Sequence, residues 1–448
     1  MASSPHVLVA GGGLAGLVAA RHLAGGGVDV TLLERRETVG GRVRTVERDC
    51  YRFDRGFQVL FTAYPAVQRE LDLEALDLRR FAPGATIAGP DGRTVLADPL
   101  REPGTIPATL SNPVVAVGDA LRIARLWWDL RRTDPETVLE DGTDETIRAY
   151  LDKRGFSDRF IDEFVAPFYG GITLDRSLST SSRVFEYTFR TLAAGEIAVP
   201  AAGMGAITAQ LADRVREVGG TIETGVRVES VTATGGDSSR TATVETGAES
   251  IEADAVVVAT DPPTARELTG VDAIPTDARG CVTQYYALPP GVDLETDRRL
   301  LLNATETGPN HVVPHSAVAP TYAPDGTTLI SATYLGGEGQ WPSRRSDASR
   351  GAAERNAELT ERTRSTLESW YPTQRFDGLE TLHTERVPFA QFVQPPGFRE
   401  QLPDVRDPVG PVYLAGDYMR WSSIQGAMES GRQAAKAVID DLSASRGR

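Results

Sequence analysis

Short apolar runs and apolar residues at helical spacing alternate from the start of the chain. His6 to Ala10 (HVLVA) reads as a buried strand, Leu14 to Ala24 (LAGLVAARHLA) has helical spacing, and Val28 to Leu33 (VDVTLL) reads as a second buried strand. That order predicts a βαβ unit. Strand-like runs return far downstream at Val226–Val231, Ala255–Ala259 (AVVVA) and Val412–Ala415; Gly203 and Gly205 open a helix before the first, and a helix beginning around Gly426 follows the last. Between these runs the pattern is helical over Val114–Arg132, over Asp144–Lys153 and over Ser157–Phe168, the last ending at Tyr169-Gly170-Gly171. Arg344 to Ser369 alternates charges and reads as one solvated helix.

The first turn carries the chemistry. Gly11, Gly13 and Gly16 stand in G-x-G-x-x-G spacing between strand and helix, and Glu34 closes the second strand. Gly11 permits the tight turn, Gly13 lets the backbone approach a pyrophosphate, and Gly16 lets the helix pack closely on the strand. The amides at Leu14 and Ala15 open the helix and face the phosphates, while Glu34 accepts hydrogen bonds from ribose hydroxyls and repels a 2′-phosphate, which disfavours NADP.

The unit alone does not choose between NAD and FAD. The stretch ERRETVGGRVRT, with Gly40, Gly41 and Arg42 after the acidic residue, resembles the flavin-containing amine oxidoreductase superfamily, closest to its phytoene desaturase and protoporphyrinogen oxidase-like branch. The segment YRFDRGFQVL (Phe53, Asp54, Gly56), the middle segment through Val228 and the C-terminal VYLAGDYMRWSSIQGAMESG extend the likeness. The resemblance implies FAD as cofactor, with Arg35 and Arg42 near the nucleotide, Gly41 and Gly56 passing close to it, and Val228 bonding the adenine through its backbone. It places Gly416 and Asp417 at the ribityl or diphosphate portion and the amides of Ile424, Gly426 and Ala427 at the pyrimidine edge of the flavin. The implied fold is α/β: a Rossmann-like FAD-binding domain in three pieces (1–80, 197–263 and 391–448), plus an α+β substrate domain (81–196 and 264–390) with a helical part and a mixed sheet.

Composition narrows the partners. With 62 acidic against 47 basic residues the net charge is −15, which disfavours nucleic acid as a partner because phosphate binding needs clustered positive charge. Two cysteines, Cys50 and Cys281, make no disulfide framework, and with no apolar window long enough to span a bilayer and no leader pattern, the expected location is the cytoplasm. Val114–Arg132 mixes Trp127 and Trp128 with arginines, a pattern open to peripheral membrane contact. Packing on the substrate domain is the preferred reading, because the net charge opposes an anionic surface.

Catalytic side chains are not legible. The only lysines, Lys153 and Lys436, fall in a surface helix and in the final helix, so neither fits the lysine that many amine oxidases of this superfamily place beside the flavin. His311 and His315 (HVVPHS) invite an acid/base or metal reading, but Pro314 interrupts a shared face and no carboxylate or cysteine completes a metal set, so core packing is preferred. Phe164, Phe168 and Tyr169 lie where the desaturase-like branch covers an apolar tunnel, with core packing again preferred for each; Glu385, Arg386 and Gln391 are expected to line the site by position, and Trp421 to serve as an aromatic cage.

The expected function is FAD-dependent hydride transfer between flavin and a small apolar substrate, isoprenoid or tetrapyrrole-like, with the electron acceptor left open. A flavin amine oxidase is the first alternative. A non-enzymatic isoprenoid-binding protein is the second.

Overall fold

The computed structural model describes residues 4–97, 102, 113–133, 138–139, 143–234, 241–336 and 351–446. A five-stranded parallel sheet forms its first layer, in the order 221–224, 29–34, 6–10, 255–258, 412–414. The central strands are continuous apolar runs because helices or loops cover both sheet faces; Val7, Val9 and Val256 to Val258 are fully buried. The helix Leu14–Gly25 packs against Ile424–Arg446 and Gly205–Glu217, so the two ends of the chain share one core.

The second layer is a seven-stranded mixed sheet in the order 380–392, 278–287, 329–335, 311–313, 300–303, 85–89, 92–96. The pair 85–89 and 300–303 is parallel and the other pairs are antiparallel. Leu367 and Trp370 of the helix Ala352–Trp370 pack on it with Tyr286, Ile330 and Tyr334. A helical cluster, Ile147–Lys153, Asp158–Thr173 and Ser182–Ala194, packs around Leu151, Phe160, Tyr169 and Phe185. The α/β class with a mixed-sheet second part is therefore as expected.

Several element boundaries move. The helix after Ser157 continues past Gly170 and Gly171 to Thr173, with a π-helical turn at Ile161–Val165. Two glycines did not stop it because Leu174 takes the left-handed capping conformation instead. The strand expected at Val226–Val231 is Val228–Thr234, and the charged helix starts at Ala352; residues 344–350 of that expectation lie outside the described residues. The final helix starts at Ile424, two residues before Gly426. Val117–Arg131 buries Asp119, Leu126 and Leu130 as the packing reading requires, yet its other side leaves Val117, Leu121 and Trp128 exposed.

Asp54 ties the two layers together. Its buried carboxylate accepts hydrogen bonds from Thr45 Oγ1 (2.6 Å), Met204 N (2.9 Å) and Tyr322 Oη (2.9 Å), and Tyr285 Oη donates to its carbonyl (2.9 Å). Burial pushes its carboxyl up to about 6, against the three hydrogen bonds. The folded state thus holds this proton more tightly than the unfolded chain does, so the stability Asp54 confers is full below the unfolded pKa and falls as pH rises through about 6. Asp54→Asn, which has no proton to lose, should therefore gain on the wild type by roughly 1–3 kcal/mol between pH 4.5 and 7.5 in denaturant unfolding. A constant difference across that range would contradict this assignment.

Candidate cofactor and substrate site

A continuous cavity of about 550 Å³ opens between the layers. Fourteen of the sixteen residues expected at the cofactor line it: Gly11, Gly13, Leu14, Ala15, Glu34, Arg35, Gly41, Arg42, Gly56, Val228, Gly416, Asp417, Ile424 and Ala427. Gly16 and Gly426 do not, and both are packing residues. A Cβ on Gly16 would lie 1.9 Å from Gly11 O, and one on Gly426 2.3 Å from Trp421 O. The Gly426 amide donates to Ser423 Oγ (2.8 Å), which caps the final helix, so it is already satisfied.

The nucleotide arm is built around the N-terminus of Leu14–Gly25. Gly11 sits at φ +110°, and a Cβ there would be 2.7 Å from Ala259 O, so the turn passes under the strand 255–258 only with glycine. Gly13 is the helix N-cap and supplies no side-chain cap to the first-turn amides, an arrangement suited to an anion. Glu34 fixes the turn: Oε2 accepts from Gly12 N (2.8 Å) and Oε1 from Arg36 N (3.0 Å). Val226 N donates to Glu34 O (3.0 Å), which brings the strand bearing Val228 to the same end.

Arg42 departs from the simplest expectation. Its guanidinium forks onto Asp417, Nη2 to Oδ1 at 2.5 Å and Nη1 to Oδ2 at 3.0 Å, and Nη1 also donates to Ala390 O (3.0 Å). Ser422 Oγ donates to Asp417 Oδ2 (2.6 Å), and Gln58 Nε2 to Arg42 O (2.9 Å). The fork that could have met phosphate oxygens is satisfied by a carboxylate of the chain itself. Arg35 reaches Asp261 (3.3 Å) at the rim.

The other arm is mostly apolar. Phe57, Phe168, Ile172, Leu174, Leu302 and Val387 line it, beside a buried Cys281 thiol that burial pushes up to about 12. Phe156, Phe160, Phe164 and Phe168 stack at every fourth residue with centroids 5.5, 5.4 and 5.5 Å apart, and only the last of the four reaches the cavity. Tyr169 packs on Phe185 (4.6 Å) in the core. Trp421 and Tyr64 line the wall together with ring centroids 6.3 Å apart.

Of the positional expectations, Gln391 lines the cavity and donates to Ile172 O (2.6 Å), whereas Glu385 and Arg386 do not. Glu385 is held by Arg55 (3.2 Å) and His383, and Arg386 by Asn356. Lys153 pairs with Glu145 (2.5 Å) and Lys436 with Asp440 (2.6 Å), both away from the cavity. His315 is buried against Ser331 (2.8 Å), while His311 lines the cavity. Among the described residues no His, Cys, Asp and Glu group could hold a metal, and no helix is long and apolar enough to cross a membrane. Gln58, Gln394 and Ser422 line the cavity unannounced by sequence, since no spacing rule marks a polar loop residue that bonds another loop.

A parallel sheet with a glycine-rich turn, an acid at the end of the second strand and an adjoining apolar chamber fits a dinucleotide-binding protein of two-part design. Comparison with known proteins makes this specific. Residues 14–439 match the family of flavin-containing amine oxidoreductases. A phytoene dehydrogenase of Streptomyces griseus is 29% identical over 295 residues, 59% of this chain and 56% of that protein. A carotenoid 3,4-desaturase of Haloarcula japonica is 41% identical over 85 residues, 17% of each chain. The chain thus matches about half or less of the length of these curated relatives. In fold, an oxidoreductase from Methanosarcina mazei superposes with a TM-score of 0.71 at 17% identity, covering 96% of this chain and 100% of that one.

The chain belongs to the family of flavin-containing amine oxidoreductases. The residues present fit FAD, because a Cβ on Gly13 would meet nothing within 4 Å, so an open cradle faces the uncapped helix end. Gly13→Val should fold with near-normal stability and lose most bound FAD, read as the ratio of flavin to protein absorbance after purification. Gly16→Val should lose the fold itself. FAD retained by Gly13→Val would contradict the cradle.

Proposed function

We propose that this protein oxidises a small, largely apolar organic molecule in the manner of a desaturase, with FAD as the hydride acceptor. The apolar arm carries the reading: Phe57, Phe168, Ile172, Leu174, Leu302 and Val387 wall the chamber beyond the nucleotide arm, and neither lysine of the chain lines it. When bound, FAD supplies a two-electron acceptor, so little acid or base chemistry is asked of the side chains. In the proposed roles, Glu34 meets the ribose and the Leu14 and Ala15 amides the diphosphate, with Arg42 holding Asp417 in place. The Phe168 to Leu174 wall orients substrate and excludes water. We expect a cytoplasmic protein whose cysteines, free in the structure, stay reduced.

Amine oxidation is the second reading, favoured by one observation: Tyr64 and Trp421 form an aromatic corner on the cavity wall that could flank an amine. The two part in one experiment. The FAD-loaded protein is mixed anaerobically with apolar polyenes and, separately, with a panel of primary amines, and flavin absorbance is followed. Bleaching by a polyene and by no amine is the expected result; bleaching by amines alone would overturn the desaturase reading.

A further inference from the structure

Three residues of the cavity wall carry a buried side-chain atom with no hydrogen-bond partner among the described residues, Arg55 (Nε), Gln58 (Oε1) and His311 (Nε2), and of these Arg55 Nε is held in an ion pair 3.2 Å from Glu385 Oε1. The Gln58 amide is tied to the Arg42 carbonyl and so belongs with the Arg42–Asp417 pair on the nucleotide side. His311 sits in the apolar arm. Its ring lies 5.0 Å from that of Phe57, and a Cβ on Gly171 would meet its Nδ1 at 3.1 Å.

The neighbours of His311 decide which ring nitrogen holds the proton. Asn310 Nδ2 donates to Pro167 O (2.8 Å), which can only accept, and Arg176 Nη1 lies 3.4 Å from Asn310 Oδ1, so the orientation of the amide is fixed. The second hydrogen of Nδ2 points to His311 Nδ1 at 3.0 Å, and Nδ1 must accept it. Burial pushes the imidazolium down to about 4, so the ring is neutral at physiological pH and its one hydrogen is on Nε2. An N–H donor is costly to bury unless an acceptor meets it.

We propose that His311 is a specificity residue that donates its Nε2–H to an oxygen of the substrate, so that the molecule taken into the apolar arm carries a carbonyl, ether or hydroxyl oxygen rather than being a pure hydrocarbon. The proposal rests on the apolar-substrate reading above and adds the one polar contact that orients such a molecule. An acceptor oxygen suffices; the substrate need not bring a hydrogen.

Three probes of one chain length separate the cases: farnesene, farnesyl methyl ether and farnesol, titrated into the FAD-loaded protein with the flavin absorbance band as readout. The ether and the alcohol should bind alike and about tenfold more tightly than farnesene, the worth of one hydrogen bond near 1.4 kcal/mol. His311→Phe should erase that preference while leaving the flavin spectrum and reduction potential of the unliganded protein unchanged, and His311→Gln, which keeps an N–H, should restore part of it. Equal binding of the three probes by the wild type would overturn the proposal and leave the apolar-substrate reading standing. A shifted flavin potential in His311→Phe would overturn it too, placing the imidazole on the cofactor. No binding of any probe would contradict the apolar-substrate reading itself, and the proposal with it.

Discussion

The salt bridge between Arg42 and Asp417 ties together segments that lie far apart in the chain. Arg42 follows the first βαβ unit, Asp417 follows the last strand of the parallel sheet, and the same guanidinium reaches the Ala390 carbonyl on the long strand of the mixed sheet. Three separated segments thus converge on one planar cation. Asp417 is almost fully buried, so removing either partner leaves an uncompensated charge, a change that typically costs about 3–5 kcal/mol. The cavity exists where these segments converge, and its two arms diverge from that point.

Polarity divides the arms. On one side lie an uncapped helix end, Glu34 and the Arg42–Asp417 pair, the fixed dipoles and charges proposed to meet the nucleotide. On the other, aromatic and aliphatic side chains offer mainly shape, with His311 as a donor among them. The proposed oxidation of an apolar molecule asks for this division, a hydride acceptor beside a mostly apolar chamber whose wall, rather than a reactive side chain, would keep water from the reaction.

Much of this was legible in the chain, and the reasons differ by residue. Gly11, Gly13 and Glu34 could be read because their places are local: a turn, a helix N-cap and a strand end within one βαβ unit. Gly426 misled because SSIQG was read from the glycine; Ser423, a good N-cap residue, is the better marker of where the helix starts, and it also consumes the Gly426 amide. Arg42 and Asp417 were each assigned to the cofactor because each was read alone, and no periodicity reveals a partner 375 positions away. His311 was set aside because Pro314 keeps it from sharing a helix with His315; its neighbour Asn310, which fixes its tautomer, carries no sequence signature. The Phe156 to Phe168 ladder shows why an aromatic run alone cannot name a tunnel residue, since only its last ring reaches the cavity.

The most direct measurement is a double-mutant cycle on FAD affinity using Arg42→Met, Asp417→Asn and the two combined. If the pair acts as one unit that shapes the cavity, each single change weakens FAD binding tenfold or more, and the double variant binds no worse than the weaker single. Losses that simply add would mean that Arg42 and Asp417 hold the cofactor independently, and would contradict the pair's role as the joint on which the cavity is built.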